Sequence, residues 1–215
     1  MSFHTIFFDL DGTLCDSKPG IIESMLHALN GFGIRVNPEE LDQFIGPPLK
    51  ETFSHFGFAG KELDAVIALF RERYVAEGQY NLSLFPAIPE MLRDLSAAGK
   101  RLVLVTSKVE TTAVDILEHT GIRPYFTFAA GADLPKGRIE KTDTLQYACT
   151  QIHVTDTAGC VMIGDRKHDV HAAHELGMLC IAVAYGYGSR QELEEAGADT
   201  ILDSVAALRD RLLTG

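Results

Sequence analysis

Phe7-Phe8-Asp9-Leu10-Asp11-Gly12-Thr13-Leu14 closes the first apolar run of the chain. The run it ends, Thr5–Phe8, is too short for a helix and mixes a β-branched pair with aromatics, so it reads as a buried strand. Side chains alternate along a strand, which puts Asp9 and Asp11 on one face and Leu10 on the other. Gly12 allows a sharp turn away from the sheet. Two carboxylates at the carboxyl end of a strand stand where open α/β sheets bind ligands. The plainer alternative is a strand-to-turn exit with Asp as turn former. It leaves two like charges beside an apolar strand with nothing to balance them. A positive partner is therefore expected between them.

The same short runs recur along the chain: Arg101–Val105, Tyr125–Ala129, Gly159–Ile163, Leu179–Val183 and Thr200–Leu202. Helical patterns alternate with them over Ile88–Ala98, Val109–His119, Ile139–Gln151, Lys167–Leu176, Ser189–Ala196 and Ser204–Leu213. Gly99, Gly121, Gly177 and Gly197 fall just past four of these, where helices stop. Almost wholly apolar strands alternating with helices predict an α/β fold, a Rossmann-like parallel sheet covered on both faces. From about Pro19 to Gln79 the alternation fails. Only helical candidates appear there, over Gly20–Leu29, Pro38–Phe44, Leu49–Phe56 and Lys61–Glu77, broken by Gly and Pro clusters. This block reads as an inserted helical subdomain, residues 17–81, within a core of residues 1–16 and 82–215.

Composition narrows the function classes. The chain has 215 residues, 46% of them hydrophobic, and 19 Lys plus Arg against 30 Asp plus Glu give a formal charge of -11. A chain of this size buries about 70% of its unfolded surface and needs no disulfide or structural metal to hold a core. Acidity without a basic tract argues against nucleic-acid binding. No apolar run reaches the ~18 residues of a membrane helix. Cys15, Cys149, Cys160 and Cys180 are scattered without a CxxC pair, and no leader or cleavage site opens the sequence, so reduced thiols in a cytoplasmic protein are expected.

The fourth strand run ends much as the first does. In Gly164-Asp165-Arg166-Lys167-His168-Asp169, Asp165 leaves the strand and Asp169 opens the next helix. Taken alone, they are equally readable as a helix cap and a dipole partner. Joined to Asp9 and Asp11, they form a hard oxygen set of the kind Mg²⁺ prefers. The second run ends in Thr106-Ser107-Lys108, two hydroxyls and an ammonium at a helix opening, which is either a phosphate seat or an ordinary N-cap. Lys141, early in a helix, is a candidate point charge for the same phosphate, although spacing alone does not separate it from a solvated surface lysine. His168, His171 and His174 step by three, so the first and last diverge by ~120° around a helix and read as exposed side chains, not a metal site. The Gly186–Gly188 run opens no βα turn with GxGxxG and is no dinucleotide fingerprint.

These pieces, in this order, resemble the haloacid dehalogenase superfamily over essentially the whole chain. The likeness rests on Phe8–Leu14, on Val105–Lys108, on the lysine within Gly137-Arg138-Ile139-Glu140-Lys141, and on Gly164–Asp169. The last motif and the downstream Ala184–Asp199 segment are most similar to the phosphoglycolate phosphatase-like and 5′-nucleotidase-like branch. The resemblance implies that the helical insert is a cap. It further implies that Asp9 is the nucleophile and Asp11 the general acid and base. Mg²⁺ would be held by Asp9, the Asp11 backbone carbonyl and Asp165, with Asp169 steadying the shell. Thr106, the Ser107 backbone and Lys141 would grip the phosphate. Gly46–Lys50 matches the cap's specificity loop, with Lys50 reading the leaving group and Arg71 and Arg73 as helpers.

Three positions depart from the family pattern: Thr142 stands for a frequent Pro, Ala87 for a frequent Gly, and Ser107 for a frequent Asn. The implied activity is Mg²⁺-dependent hydrolysis of a small phosphate ester, either phosphoglycolate or a nucleoside 5′-monophosphate, by a monomer or weak dimer. Sugar phosphomutase and pyrophosphatase activities fit the same scaffold. A noncatalytic regulatory relative is the reading from a different class.

Overall fold

The computed structural model describes residues 3–46 and 48–214. Pro47 of the Gly46–Lys50 stretch, like Met1, Ser2 and Gly215, lies outside the described residues. The chain divides into two units, one of Met1–Asp16 with Leu84–Gly215 and one of Ser17–Ser83.

The first unit is the α/β layer structure. The strands of its main sheet are β1 (Thr5–Phe8), β2 (Arg101–Val109), β3 (Phe126–Ala132), β4 (Cys160–Gly164), β5 (Leu179–Val183) and β6 (Thr200–Leu202). They form one parallel sheet of six strands in the order β3-β2-β1-β4-β5-β6. β1 is central and buried along its whole length, with Phe7 level with Val103 on one side and Met162 on the other. A parallel strand buried on both faces has no polar side, which is why Thr5–Phe8 carries no charge. Phe7, Val103, Val105, Leu145, Met162, Val170 and Cys180 belong to one core cluster. The four cysteines are buried and free.

The strand and helix expectations agree with these elements to within a few residues, save at one informative place. β2 does not stop at Val105 but continues through Thr106-Ser107-Lys108 to Val109. Its pairing with β3 shifts register between Val105 and Val109, where four residues of β2 advance against two of β3, from Ala130 to Ala132. The hydroxyls of Thr106 and Ser107 therefore sit on an irregular strand end. The helix that follows begins only at Glu110.

The second unit holds α1 (Lys18–Gly31), a 3₁₀ segment (Pro38–Phe44), α2 (Leu49–His55) and α3 (Gly60–Ala76). Aromatic side chains make its interior, with Phe53 edge-on to both Phe58 and Phe70, and Phe70 stacked on Tyr74. Gly20 lets the helix start press on the backbone, since a Cβ there would stand 1.9 Å from the Gly78 carbonyl oxygen. The remaining helices all belong to the first unit: α4 (Ile88–Ala97), α5 (Glu110–His119), α6 (Lys141–Gln151), α7 (Lys167–Glu175), α8 (Arg190–Glu195) and α9 (Val205–Thr214). Among the described residues, no helix is long and apolar enough to cross a membrane.

Candidate active site

The site is built at the carboxyl ends of β1, β2 and β4. Asp9 extends the β1 ladder by one bond, its N–H donating to the Ile163 carbonyl at 2.9 Å. Its Oδ1 accepts from the Leu10 N–H at 2.7 Å, which fixes the carboxylate against its own backbone. The chain then folds over the Leu10 carbonyl, which accepts from the Leu14 and Cys15 N–H groups at 2.9 and 3.1 Å. Gly12 has φ +77, and a Cβ there would lie 2.2 Å from Asp165 Oδ2. The glycine thus serves the turn and also the close approach of the two acidic strand ends.

At the end of β4, Gly164 performs the same service for Asp169. A Cβ on Gly164 would sit 2.1 Å from the Asp169 Cγ. Asp169 folds back from the first turn of α7, and its Oδ2 accepts from the Arg166 N–H at 3.1 Å. Asp165 is wholly buried, and its two oxygens accept from Thr13 Oγ1 at 3.2 Å and from the Tyr187 N–H at 2.7 Å. Carboxylate oxygens of Asp9, Asp165 and Asp169 lie within 4.8 Å of one another.

Lys141 is the first residue of α6 and enters this cluster from the side. Its Nζ is 2.8 Å from Asp9 Oδ1, 2.8 Å from Asp169 Oδ1 and 3.3 Å from the Val105 carbonyl oxygen. Asp169 Oδ1 is at ion-pair distance without hydrogen-bond geometry, and it accepts no hydrogen bond among the described residues. One ammonium cannot balance three carboxylates. Burial, reinforced by Asp169 and opposed by Lys141, lifts the Asp9 carboxyl to about 6. Burial followed by Asp169 and then Asp9 lifts Asp165 to about 8. For Lys141, burial works against the charge, but Asp169 and Asp9 outweigh it and hold the ammonium more firmly protonated than usual. A buried, all-oxygen donor set with surplus negative charge suits a hard divalent cation, which would reverse these carboxyl shifts by supplying the missing charge.

Asp11 follows the end of β1 and is bridged to Cys15, and its charge acts on the Asp9 carboxyl, adding to the rise that burial causes. Its Oδ2 is 3.1 Å from Lys108 Nζ, while its Oδ1 is buried and accepts no hydrogen bond among the described residues. Thr106 is buried, its Oγ1 accepting from the Lys108 N–H at 3.2 Å, and Ser107 is exposed. Lys50 is exposed on α2 of the helical unit. His168, His171 and His174 are exposed, and His174 pairs with Asp199 at 3.0 Å.

Sequence reading missed three partners of these residues. The Lys108 pairing with Asp11 has no local signal, because Thr106-Ser107-Lys108 looks in sequence like a phosphate seat. Thr13 was legible as part of Asp11-Gly12-Thr13, yet nothing local indicates that it reaches Asp165. Arg138 carries no sequence signal for its role. It donates from Nε to the Gly131 carbonyl at 2.7 Å and from Nη2 to Glu110 Oε2 at 2.6 Å, and it lies 3.8 Å over the Tyr147 ring. Together with the antiparallel bridge between Asp133 and Arg138, these contacts fix the segment that delivers Lys141.

Comparison with known proteins fits this geometry. The chain is 39% identical over 204 residues to the tyrosine-protein kinase PtkA of Mycobacterium tuberculosis, covering 94% of this chain and 69% of that one. It is 35% identical over 219 residues to a 5′-nucleotidase of Pseudomonas aeruginosa, covering 99% and 96% of the two chains. The solved structure of a putative phosphatase from Clostridium difficile superposes with a TM-score of 0.93 at 37% identity, covering 99% of this chain and 100% of that one. The family model described as haloacid dehalogenase-like hydrolase matches residues 6–183. That span takes in both acidic strand exits and the lysine between them, and by it the chain belongs to the haloacid dehalogenase-like hydrolase family.

Proposed function

We propose that this haloacid dehalogenase-like phosphatase is a Mg²⁺-dependent phosphomonoester hydrolase that works through a phosphoryl group carried on Asp9. The observation that carries the reading is Lys141 set between Asp9 and Asp169 in a cluster that keeps surplus negative charge. Asp9 Oδ1 is engaged by the Leu10 N–H and by Lys141, while Oδ2 has no partner among the described residues. Oδ2 is the attacking oxygen. It forms a bond to phosphorus as the bond from phosphorus to the ester oxygen breaks, and Asp11 gives its proton to that leaving oxygen. A water then attacks the same phosphorus, Asp11 takes the water's proton, and the Asp9 carboxylate and inorganic phosphate are released.

Lys141, Thr106 and the Ser107 backbone hold the phosphate oxygens. Mg²⁺, held by Asp9, the Asp11 carbonyl and Asp165 and steadied by Asp169, would offset the repulsion between carboxylate and dianionic ester. Hydrolysis of phosphate monoesters has enzymatic accelerations of up to ~10²¹, about 29 kcal/mol of barrier. No single contact reaches that, so positioning and charge neutralisation must act together.

Residues 1–16 and 82–215 would be the hydrolase core, and residues 17–81 a cap whose Lys50 reads the leaving group. A nucleoside 5′-monophosphate is the preferred substrate, supported by the near full-length likeness to a 5′-nucleotidase, with phosphoglycolate next. Four buried free thiols support a cytoplasmic location. A second reading takes support from the 39% identity to a protein named as a tyrosine kinase: a tyrosine hydroxyl replaces water as the acceptor.

Purified protein incubated with Mg²⁺ and a panel of phosphate esters is expected to release inorganic phosphate, fastest from a nucleoside monophosphate. Pyrophosphate cleavage alone, or glucose 1-phosphate isomerisation without phosphate release, would replace the hydrolase reading with a pyrophosphatase or a mutase. Phosphotyrosine formed from a labelled nucleotide, with no phosphate released from any ester, would establish the kinase-like reading instead.

A further inference from the structure

We infer that the Tyr185-Gly186-Tyr187-Gly188 loop is the positioning device for Asp165, setting the direction in which that carboxylate meets a divalent cation. The inference rests on the proposed cation role of Asp165. It also gives a task to a glycine-rich run that lacks the dinucleotide fingerprint.

The Tyr187 N–H donates to Asp165 Oδ2 at 2.7 Å, and Thr13 Oγ1 donates to Oδ1 at 3.2 Å. Donors from two segments far apart in the chain therefore hold the two oxygens, so the carboxylate plane cannot turn without breaking one of them. The glycines bring the loop close enough for this. A Cβ on Gly186 would stand 2.3 Å from the Asp165 Cβ and 2.4 Å from the Gly12 carbonyl oxygen. One on Gly188 would stand 2.0 Å from the Asp165 carbonyl oxygen. Two of those three contacts are with backbone, which cannot swing aside as the end of a flexible side chain would.

The two tyrosines hook the same loop to the segment that follows β1. Tyr185 donates its hydroxyl to the Thr13 carbonyl at 2.9 Å, and Tyr187 donates its own to Asp16 Oδ1 at 2.9 Å. The Tyr185 ring also meets Phe85 edge-on, with centroids 5.1 Å apart. Residues 13–16 and 185–188 are thus fastened side by side, with Asp165 between them. Partners that orient a metal ligand from behind typically change metal affinity by ~10–100-fold when lost.

The test measures Mn²⁺ affinity by electron paramagnetic resonance of the purified full chain, with circular dichroism and thermal melting as the fold control. Gly186→Ala and Gly188→Ala are each expected to weaken Mn²⁺ binding by ~10–100-fold. The double variant Tyr185→Phe/Tyr187→Phe keeps the volume and the Tyr187 N–H, and it is expected to lose a smaller factor at unchanged secondary structure. It keeps the test decisive where a glycine variant fails to fold. Asp165→Asn is the reference for lost binding. Folded loop variants, the double Phe variant included, that bind Mn²⁺ like wild type while Asp165→Asn does not would overturn the inference and leave the cation reading standing. Wild-type protein that ignores Mn²⁺, or Asp165→Asn protein that binds it normally, would overturn both.

Discussion

Arg138 and Lys141 stand three residues apart, both are buried cations, and they live in opposite electrostatic circumstances. The guanidinium of Arg138 is satisfied by a carbonyl, by Glu110 and by the Tyr147 ring, with Asp133 at 3.9 Å. In that network Asp133, hydrogen-bonded by Lys136 and close to Arg138, is held below the usual carboxylate range. Around Lys141 the carboxyls move the other way, Asp9 to about 6 and Asp165 to about 8. Charges that serve the fold are matched within the fold. Charges at the proposed site are not matched in this way, as befits groups meant to meet a ligand.

The sharpest way to break the contrast is at Asp9, the carboxylate proposed to attack. Asp9→Asn is expected to lower phosphate release by roughly 10⁴-fold or more while the circular dichroism spectrum is kept. Near wild-type release would end the covalent route. Lys141→Met should cost about 10²–10³ in turnover, because a charge aimed at the transferring group is lost. Turnover by that variant within tenfold of wild type would place Lys141 with Arg138 as a structural cation.

The cluster also makes a statement about pH. The folded pKa values of Asp165 and Asp9 stand above their unfolded values near 4, so the folded chain binds more protons between about pH 4 and 8. Stability from these groups is therefore present at low pH and lost as pH rises through the raised values. Metal-free protein should melt at a falling temperature from pH 5 to pH 8, and Mg²⁺ should flatten that slope. A metal-free melting temperature that rises over this range would remove the surplus-charge description.

Asp165→Asn sharpens the same point, because it deletes one of the repelling carboxylates. It should stabilise the metal-free protein by about 1 kcal/mol at pH 8 while losing the response to Mg²⁺. A destabilised metal-free variant would count against it. Arg138→Met is expected to cost about 1–3 kcal/mol in denaturant unfolding, as Glu110 loses a charged partner. Its effect on turnover should be smaller than that of Lys141→Met, and the reverse ranking would dissolve the distinction drawn here.

The sheet was legible because parallel strands buried on both faces must be apolar end to end, and glycine marks the helix stops. The Val105 to Val109 irregularity was not, since Thr106-Ser107-Lys108 looks locally like a helix opening and only pairing with β3 keeps it extended. The pairs Asp9/Asp11 and Asp165/Asp169 could be read from the ends of apolar runs. The contact of Asp11 with Lys108 could not, since β1 ends at Phe8 and only the folded turn at Gly12 sets what Asp11 meets. The place of Lys141 early in a helix is a weak signal that the family likeness strengthens, and only folding brings its ammonium within 2.8 Å of Asp9. The hold of Tyr187 on Asp165 depends on a backbone N–H, which every residue but proline owns, so no side-chain pattern could announce it.

One feature of the topology bears on how the protein is made. β1 and β4 are neighbours in the sheet although the Asp9 N–H bonds a carbonyl at Ile163, most of the chain away. During synthesis, Asp9 is made before Lys141, Asp165 and Asp169 and has no cluster to join until β4 and the start of α7 have followed. A nascent or truncated chain lacking β4 therefore owns no assembled cluster, so the proposed cation site and nucleophile come together only once that strand has paired.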